Sequence, residues 1–247
     1  MIIYILFVLY FLKILNAVLI NNEHDLISIL SNNNDEVTID IASIININSN
    51  FNISSSLKHL SITGNSLSSS KVVFKYPINF VENIKDIELE NLIIEGDLFF
   101  NNNKRIILDS VVLNGSIDSY FNNQDNEYIK FYNINYKPSE TSNYNCINLS
   151  GNLYIENSIF YGSSKCNNRI LHFDGLLNYD LIIENSKFDG GYECPCLSIE
   201  KTQNVIVDTT TFEKAISSEK IKGGYIFIIV ILYSHILKIN NFFIIFY

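Results

Sequence analysis

One strand-and-turn phrase recurs along the chain and constrains its fold more than any other feature. It is fullest at Asn178–Phe188, Asn-Tyr-Asp-Leu-Ile-Ile-Glu-Asn-Ser-Lys-Phe, with one copy upstream at Asn152–Phe160 and one downstream at Asn204–Phe212. Each copy alternates apolar and polar residues, then gives an acid, an Asn or Thr, two more residues and a Phe. The first full copy is Leu57–Gly64; further copies run through Ile87–Asn91, Ile106–Ser110 and Ile129–Asn133, and an irregular one ends at Phe243. The turn residues Gly64, Asn91, Ser110, Asn133, Asn157, Asn185, Thr209 and Asn241 recur on average about every 25 residues. That period suits one coil of a β-solenoid and is too short for a four-stranded propeller blade. The two-residue alternation and the β-branched and aromatic enrichment exclude helical repeats.

Between the phrases lies a second, shorter strand pattern at Cys146–Ser150, Ile170–Asp174 and Cys196–Glu200. Each coil therefore holds at least two strands, and three are expected. One coil cannot bury its own apolar face, so coils must stack, ~4.8 Å apart, around a continuous core. The expected fold is all-β: a parallel β-helix of about eight coils over residues 36–243. The Asn/Ser/Thr column is expected to form a side-chain amide ladder, as in cross-β stacks. The Phe three residues on is expected to form an aromatic column inside. Residues 21–35 read as a short helical cap, with Glu23-His24-Asp25 at its start and Leu26, Ile27 and Leu30 on one face.

The N-terminus reads as a signal peptide over residues 1–20. Ile2–Leu12 is an unbroken apolar run, followed by Lys13 and the small Ala17, and is short for a membrane span. Export makes disulfides the expected state of Cys146, Cys166, Cys194 and Cys196. A bridge inside Cys194-Pro-Cys196 would be strained; the expected bridge is Cys146–Cys166 or Cys166–Cys194, within or between adjacent coils. A zinc site would need Cys-x-x-Cys spacing. Asn52, Asn114 and Asn148 begin glycosylation triplets. The tail, Tyr225–Tyr247, reads either as a last coil or as a membrane anchor; Lys238, Asn240 and Asn241 oppose the anchor. Membrane contact is expected only if one of these terminal apolar segments is retained.

The 247 residues carry a net charge of −9, and Arg105 and Arg169 are the two arginines. That balance lacks the basic footprint nucleic acid requires. It also repels polyanionic sugars unless a cation intervenes.

Directly before the turn column stand Glu90, Asp109, Tyr132, Glu156, Glu184, Asp208 and Asn240. By alternation they point outward in one acidic ridge up the stack. Such a ridge is chiefly a solvated face. Its sharper readings are calcium or sugar contact, or a carboxylate pair such as Glu156 and Glu184 cleaving a glycosidic bond. His59 and His172 fall at outward positions and are read as having no acid partner set for catalysis. Tyr132, Tyr136, Tyr154, Tyr161 and Tyr192 are read as exposed rings able to stack on sugars. No cofactor, phosphate-loop or metal motif is legible, so no catalytic or cofactor residue is assigned.

The Glu-Asn-Ser-x-Phe phrases and Gly223-Gly-Tyr-Ile-Phe227 resemble repeats of the right-handed parallel β-helix superfamily. With this Asn- and Ile-rich composition the chain is similar to scaffoldin-like secreted β-helix proteins of anaerobic gut fungi. Tyr225 departs from the family's Gly-Gly-Ala-Ile pattern. The resemblance implies a right-handed coil and an extracellular or cell-surface, non-catalytic scaffold or adhesion protein. Its implied partners are cell-wall or plant polysaccharide, or extracellular proteins. The superfamily also contains polysaccharide lyases and glycoside hydrolases, so a carbohydrate-active enzyme is the alternative. The Asn-Thr-Asp, Asp-Asp, Gly-His-Gly and Arg-Ile-Lys signatures of galacturonan hydrolases are missing. A fragment of a longer surface protein is the third reading.

Overall fold

The computed structural model describes residues 17–121, 127–139, 146–166 and 169–216, and the backbone of the strands Ile226–Ile229, Leu237–Asn240 and Phe243–Ile245. The chain winds as a parallel β-solenoid of about eight turns. Among the described residues, three all-parallel sheets run along the axis: sheet A with ten strands, sheet B with nine and sheet C with seven. Each full coil visits A, then B, then C. The recurring phrase is the A strand, its corner and the B strand. The shorter pattern is the C strand.

Residues stack on their counterparts in the next coil without slippage. Ile106 pairs with Ile87 on one side and Ile129 on the other; Leu153 pairs with Leu181. Register is held because a one-residue slip would turn every apolar side chain to solvent. The buried set is therefore columnar. Phe160, Phe188 and Phe212 stack inside sheet B with ring centroids 4.6 and 5.0 Å apart and planes within 10° of parallel. The expected aromatic column is present, and Tyr136 extends it by one rung at 6.1 Å from Phe160. Tyr136 is thus buried rather than exposed. Its hydroxyl donates to the Gly115 carbonyl at 2.9 Å, which satisfies the polar atom the core encloses.

The corner between sheets A and B is constant. From Glu90 to Thr211 it is always two residues long. The first of the two has positive φ each time: Asn91 (56°), Ser110 (53°), Asn133 (54°), Asn157 (50°), Asn185 (49°) and Thr209 (47°). This left-handed conformation is what selects Asn, whose short polar side chain tolerates it. An amide ladder is not the reason. The Asn91 amide donates to the Gly64 carbonyl, that of Asn133 to Asp109 Oδ1 and that of Asn157 to Glu156 Oε1. The rungs are joined instead by backbone, each corner N–H donating to the carbonyl of the acid position in the next coil, as in Asn185 to Asp208 at 3.1 Å. Gly64 occupies this column without positive φ. A Cβ there would lie 2.2 Å from the Asn91 carbonyl oxygen, so only glycine admits the next coil.

The second corner residue is buried, and its chemistry changes along the stack. Leu92, Val111 and Ile134 are followed by Ser158, Ser186 and Thr210. Each of these hydroxyls donates to the carbonyl two residues back, at 2.7, 2.7 and 2.9 Å. Each also accepts the N–H of its counterpart one coil earlier: Ile134 to Ser158, Ser158 to Ser186, Ser186 to Thr210. The side-chain ladder of this fold is a hydroxyl ladder.

The helical cap spans Glu23–Ser31, with Asn22 as its N-cap accepting from the Asp25 N–H at 2.9 Å. Leu26 and Leu30 are fully buried against the first coil. Val18–Ile20, inside the span expected for the leader, forms a strand paired with Ile39–Ile41. Residues 1–16, which carry the apolar run of the expected signal peptide, lie outside the described residues. In the tail, Ile226–Ile229, Leu237–Asn240 and Phe243–Ile245 continue sheets C, A and B respectively. No helix among the described residues is long and apolar enough to cross a membrane.

Cys146 and Cys166 form a disulfide, with Cα atoms 5.0 Å apart, tying the corner residue before the sheet C strand Ile147–Ser150 to the corner that follows the next coil's sheet B strand. Cys194 and Cys196 are buried free thiols.

Candidate binding face of sheet A

The outer face of sheet A is built from the polar positions of the phrase. Parallel register converts each position into a column. The expected ridge is one of them: Glu90, Asp109, Tyr132, Glu156, Glu184 and Asp208 follow one another rung by rung. Glu90 is exposed and the others are half-buried.

The face divides in two. Its N-terminal half is ion-paired. Glu36, His59, Asp86 and Arg105 succeed one another in one column. His59 Nδ1 lies 2.5 Å from Asp86 Oδ2, and Arg105 pairs with Glu88. His59 therefore does have an acid partner, on the adjacent strand, which spacing within one strand does not reveal. A hollow of about 220 Å³ lies over these groups.

The C-terminal half is aromatic and apolar at its centre. Two residues before the ridge positions Tyr132, Glu156, Glu184 and Asp208 stand Lys130, Tyr154, Ile182 and Ile206, in register and half-buried. Tyr154 and Tyr132 meet with ring centroids 5.6 Å apart and planes at 59°. Lys130 Nζ lies 5.1 Å from the Tyr128 ring centre. These rings, with Asp180 and Ile182, line a hollow of about 260 Å³. On the far side of the apolar stripe, Asn152 accepts the Asp180 N–H at 3.0 Å, and the Asn204 amide donates to Asp180 at 2.8 Å.

Tyr154 links the stripe to the ridge. Its hydroxyl lies 3.0 Å from Glu156 Oε2 and 2.9 Å from Glu184 Oε2. Burial, reinforced by these two carboxylates, raises the phenol well above its ordinary pKa, so it stays a donor. One proton serves two acceptors, and the carboxylates keep most of their capacity for other donors.

The remaining candidates are scattered. Tyr161 lies beneath the Lys137 ammonium at 5.2 Å, and Tyr192 is exposed at a corner. His172 is half-buried on sheet C between Asn148 and Ser198, and its Nδ1 has no hydrogen-bond partner. Asn52 is exposed in an irregular segment, whereas Asn114 and Asn148 are half-buried within strands. Among the described residues, no three His, Cys, Asp or Glu side chains are grouped to hold a metal ion.

Reading along one strand misses the central stripe. In Leu-Ile-Ile-Glu the outward Ile182 sits inside an apolar run. Only alignment of the phrase copies sets Tyr154, Ile182 and Ile206 in one outward column. No protein-family model, curated protein or solved structure matches this chain.

Proposed function

We propose that the protein is a secreted or cell-surface, non-catalytic β-solenoid that acts as a scaffold or adhesion module and presents sheet A as its contact face. The observation that carries this reading is the register of that face. Columns of side chains repeat on successive rungs over a rigid sheet, which suits an extended partner contacted at several equivalent places. The Cys146–Cys166 disulfide supports an oxidising compartment. The resemblance to scaffoldin-like fungal β-helix proteins, drawn from the Glu-Asn-Ser-x-Phe phrases, supports the same reading. Extracellular proteins and cell-wall or plant polysaccharides are the partner classes it entails.

The test is export. The full chain with a C-terminal tag, expressed in a eukaryotic secretory host, is expected in the medium or on the surface with Cys146–Cys166 oxidised. Retention in the cytosol with four free thiols would overturn the reading. A second reading, glycoside hydrolysis, rests on Glu156 and Glu184 meeting at one hydroxyl. It requires release of reducing sugar from plant polysaccharides, lost in Glu156→Gln and Glu184→Gln.

A further inference from the structure

We propose that the C-terminal half of the sheet A face binds a neutral, hydroxyl-rich polysaccharide laid along the solenoid axis over Tyr154, Ile182 and Ile206. The inference rests on the contact-face reading above and gives that face a ligand chemistry.

Three features converge on it. The first is the stripe. Tyr154, Ile182 and Ile206 follow one another in register, and the Tyr132 ring leans against Tyr154. Sugar rings carry C–H faces that pack on aromatic and aliphatic surface of this kind, and a hollow of about 260 Å³ opens at the tyrosine end.

The second is the chemistry of the rims. Glu156, Glu184 and Asp208 stand along one side of the stripe, and Asn152, Asp180 and Asn204 along the other. Carboxylates accept hydrogen bonds and donate none. The Asn152 and Asn204 amides donate to the Glu127 carbonyl and to Asp180, so a partner meeting Glu156, Glu184 and Asp208 on one edge and Asp180 on the other brings donors to both, as the hydroxyls of a pyranose chain do. The four carboxylates of these rims, with a net charge of −9 behind them, repel a polyanion.

The third is spacing. Successive rungs repeat every ~4.8 Å, comparable to the length of one pyranose ring. Consecutive sugars of an extended chain would then meet consecutive coils in equivalent positions. A basic peptide also complements carboxylates, but Lys130, which continues the stripe's column and lines the hollow, opposes a cation at the tyrosine end.

The experiment is equilibrium binding of the full chain to soluble neutral β-glucan, mannan and xylan, with polygalacturonate and poly-lysine as charged probes. Binding to at least one neutral glycan is expected, nearly independent of salt. Polygalacturonate should not bind. Tyr154→Ala should weaken binding by about tenfold or more, while Tyr154→Phe, which keeps the ring, should lose far less. Ile206→Ser, with an unchanged melting temperature, should also weaken it and keeps the test independent of Tyr154. Binding confined to poly-lysine and abolished by salt would reassign the face to basic peptides and overturn the proposal. So would folded protein that binds none of the neutral glycans. A chain that is exported but binds no neutral glycan refutes this inference and leaves the scaffold reading standing; glycan binding by a chain that is never exported does the reverse.

Discussion

Ser158 and Ser186 are joined across adjacent coils: the Ser158 N–H donates to Ser186 Oγ at 3.1 Å, and Ser186 Oγ donates to the Glu184 carbonyl at 2.7 Å. Both residues are at most 4% exposed. Ser186→Ala removes the acceptor and leaves a buried N–H without a partner. The expected loss is about 1–3 kcal/mol in denaturant unfolding. Ser186→Thr keeps the hydroxyl, as Thr210 does one coil on, and should be close to neutral. Equal stability of the alanine and threonine variants would remove the ladder from the account of stability.

Thr209 is the one β-branched residue among the left-handed corners, at φ 47°. A branched Cβ makes this conformation costly. Thr209→Asn, the residue found at four of the other corners, should stabilise the fold by about 1 kcal/mol. The reverse exchange, Asn157→Thr, should destabilise it by a similar amount. Thermal unfolding of the pair checks both signs.

Burial pushes the Cys194 thiol up to about 11 and the Cys196 thiol higher still. At pH 8 neither is a thiolate in the folded protein. Alkylation of native protein should therefore modify neither residue. Denaturation without reductant should expose two thiols per chain, and reduction should raise the count to four. Replacing Cys146 and Cys166 by Ser together should cost about 3 kcal/mol, since the bridge closes a 20-residue separation. Mass spectrometry after labelling reads the first result and unfolding the second.

Burial lowers the His172 pKa, and the nearby Arg169 charge adds to the effect. The folded state thus holds the neutral ring more tightly than the unfolded chain does. That contribution is complete above the unfolded pKa of about 6.5 and is lost as pH falls through the lower folded value. The stability advantage of the natural protein over His172→Asn should shrink as pH drops below about 6.5. A difference that stays constant from pH 8 to pH 5 would contradict the assignment.

What could be read from the chain was whatever repeats. The Phe at the end of each phrase predicts the column of Phe160, Phe188 and Phe212, because a fixed offset in a stack becomes a fixed place in the core. The acid before each corner predicts the ridge on the same ground. Less was legible where one letter serves two physical demands. The recurring Asn looks like a ladder amide, yet the backbone conformation at Asn157 and Asn185 is what requires it. Tyr136 looks like a surface ring and is the core residue of its rung, which only pairing with Phe160 reveals. The pairing of His59 with Asp86 crosses strands, so distance along the chain conceals it. The outward column of Tyr154, Ile182 and Ile206 was hidden for the same reason, since Ile182 looks inward until its neighbours in register are set beside it.

The constant corner has a consequence for how such a chain can change. From Glu90 to Thr211 the link between sheets A and B never departs from two residues, while the other two corners range from the single Gly151 to the twelve residues 214–225. Insertions and deletions can accumulate there while the phrase keeps its phase. The lineage is free to grow new loops beside sheet C and remain bound to one spacing on sheet A. A foreign epitope grafted between Ser164 and Lys165 should thus leave the opposite wall of the molecule intact.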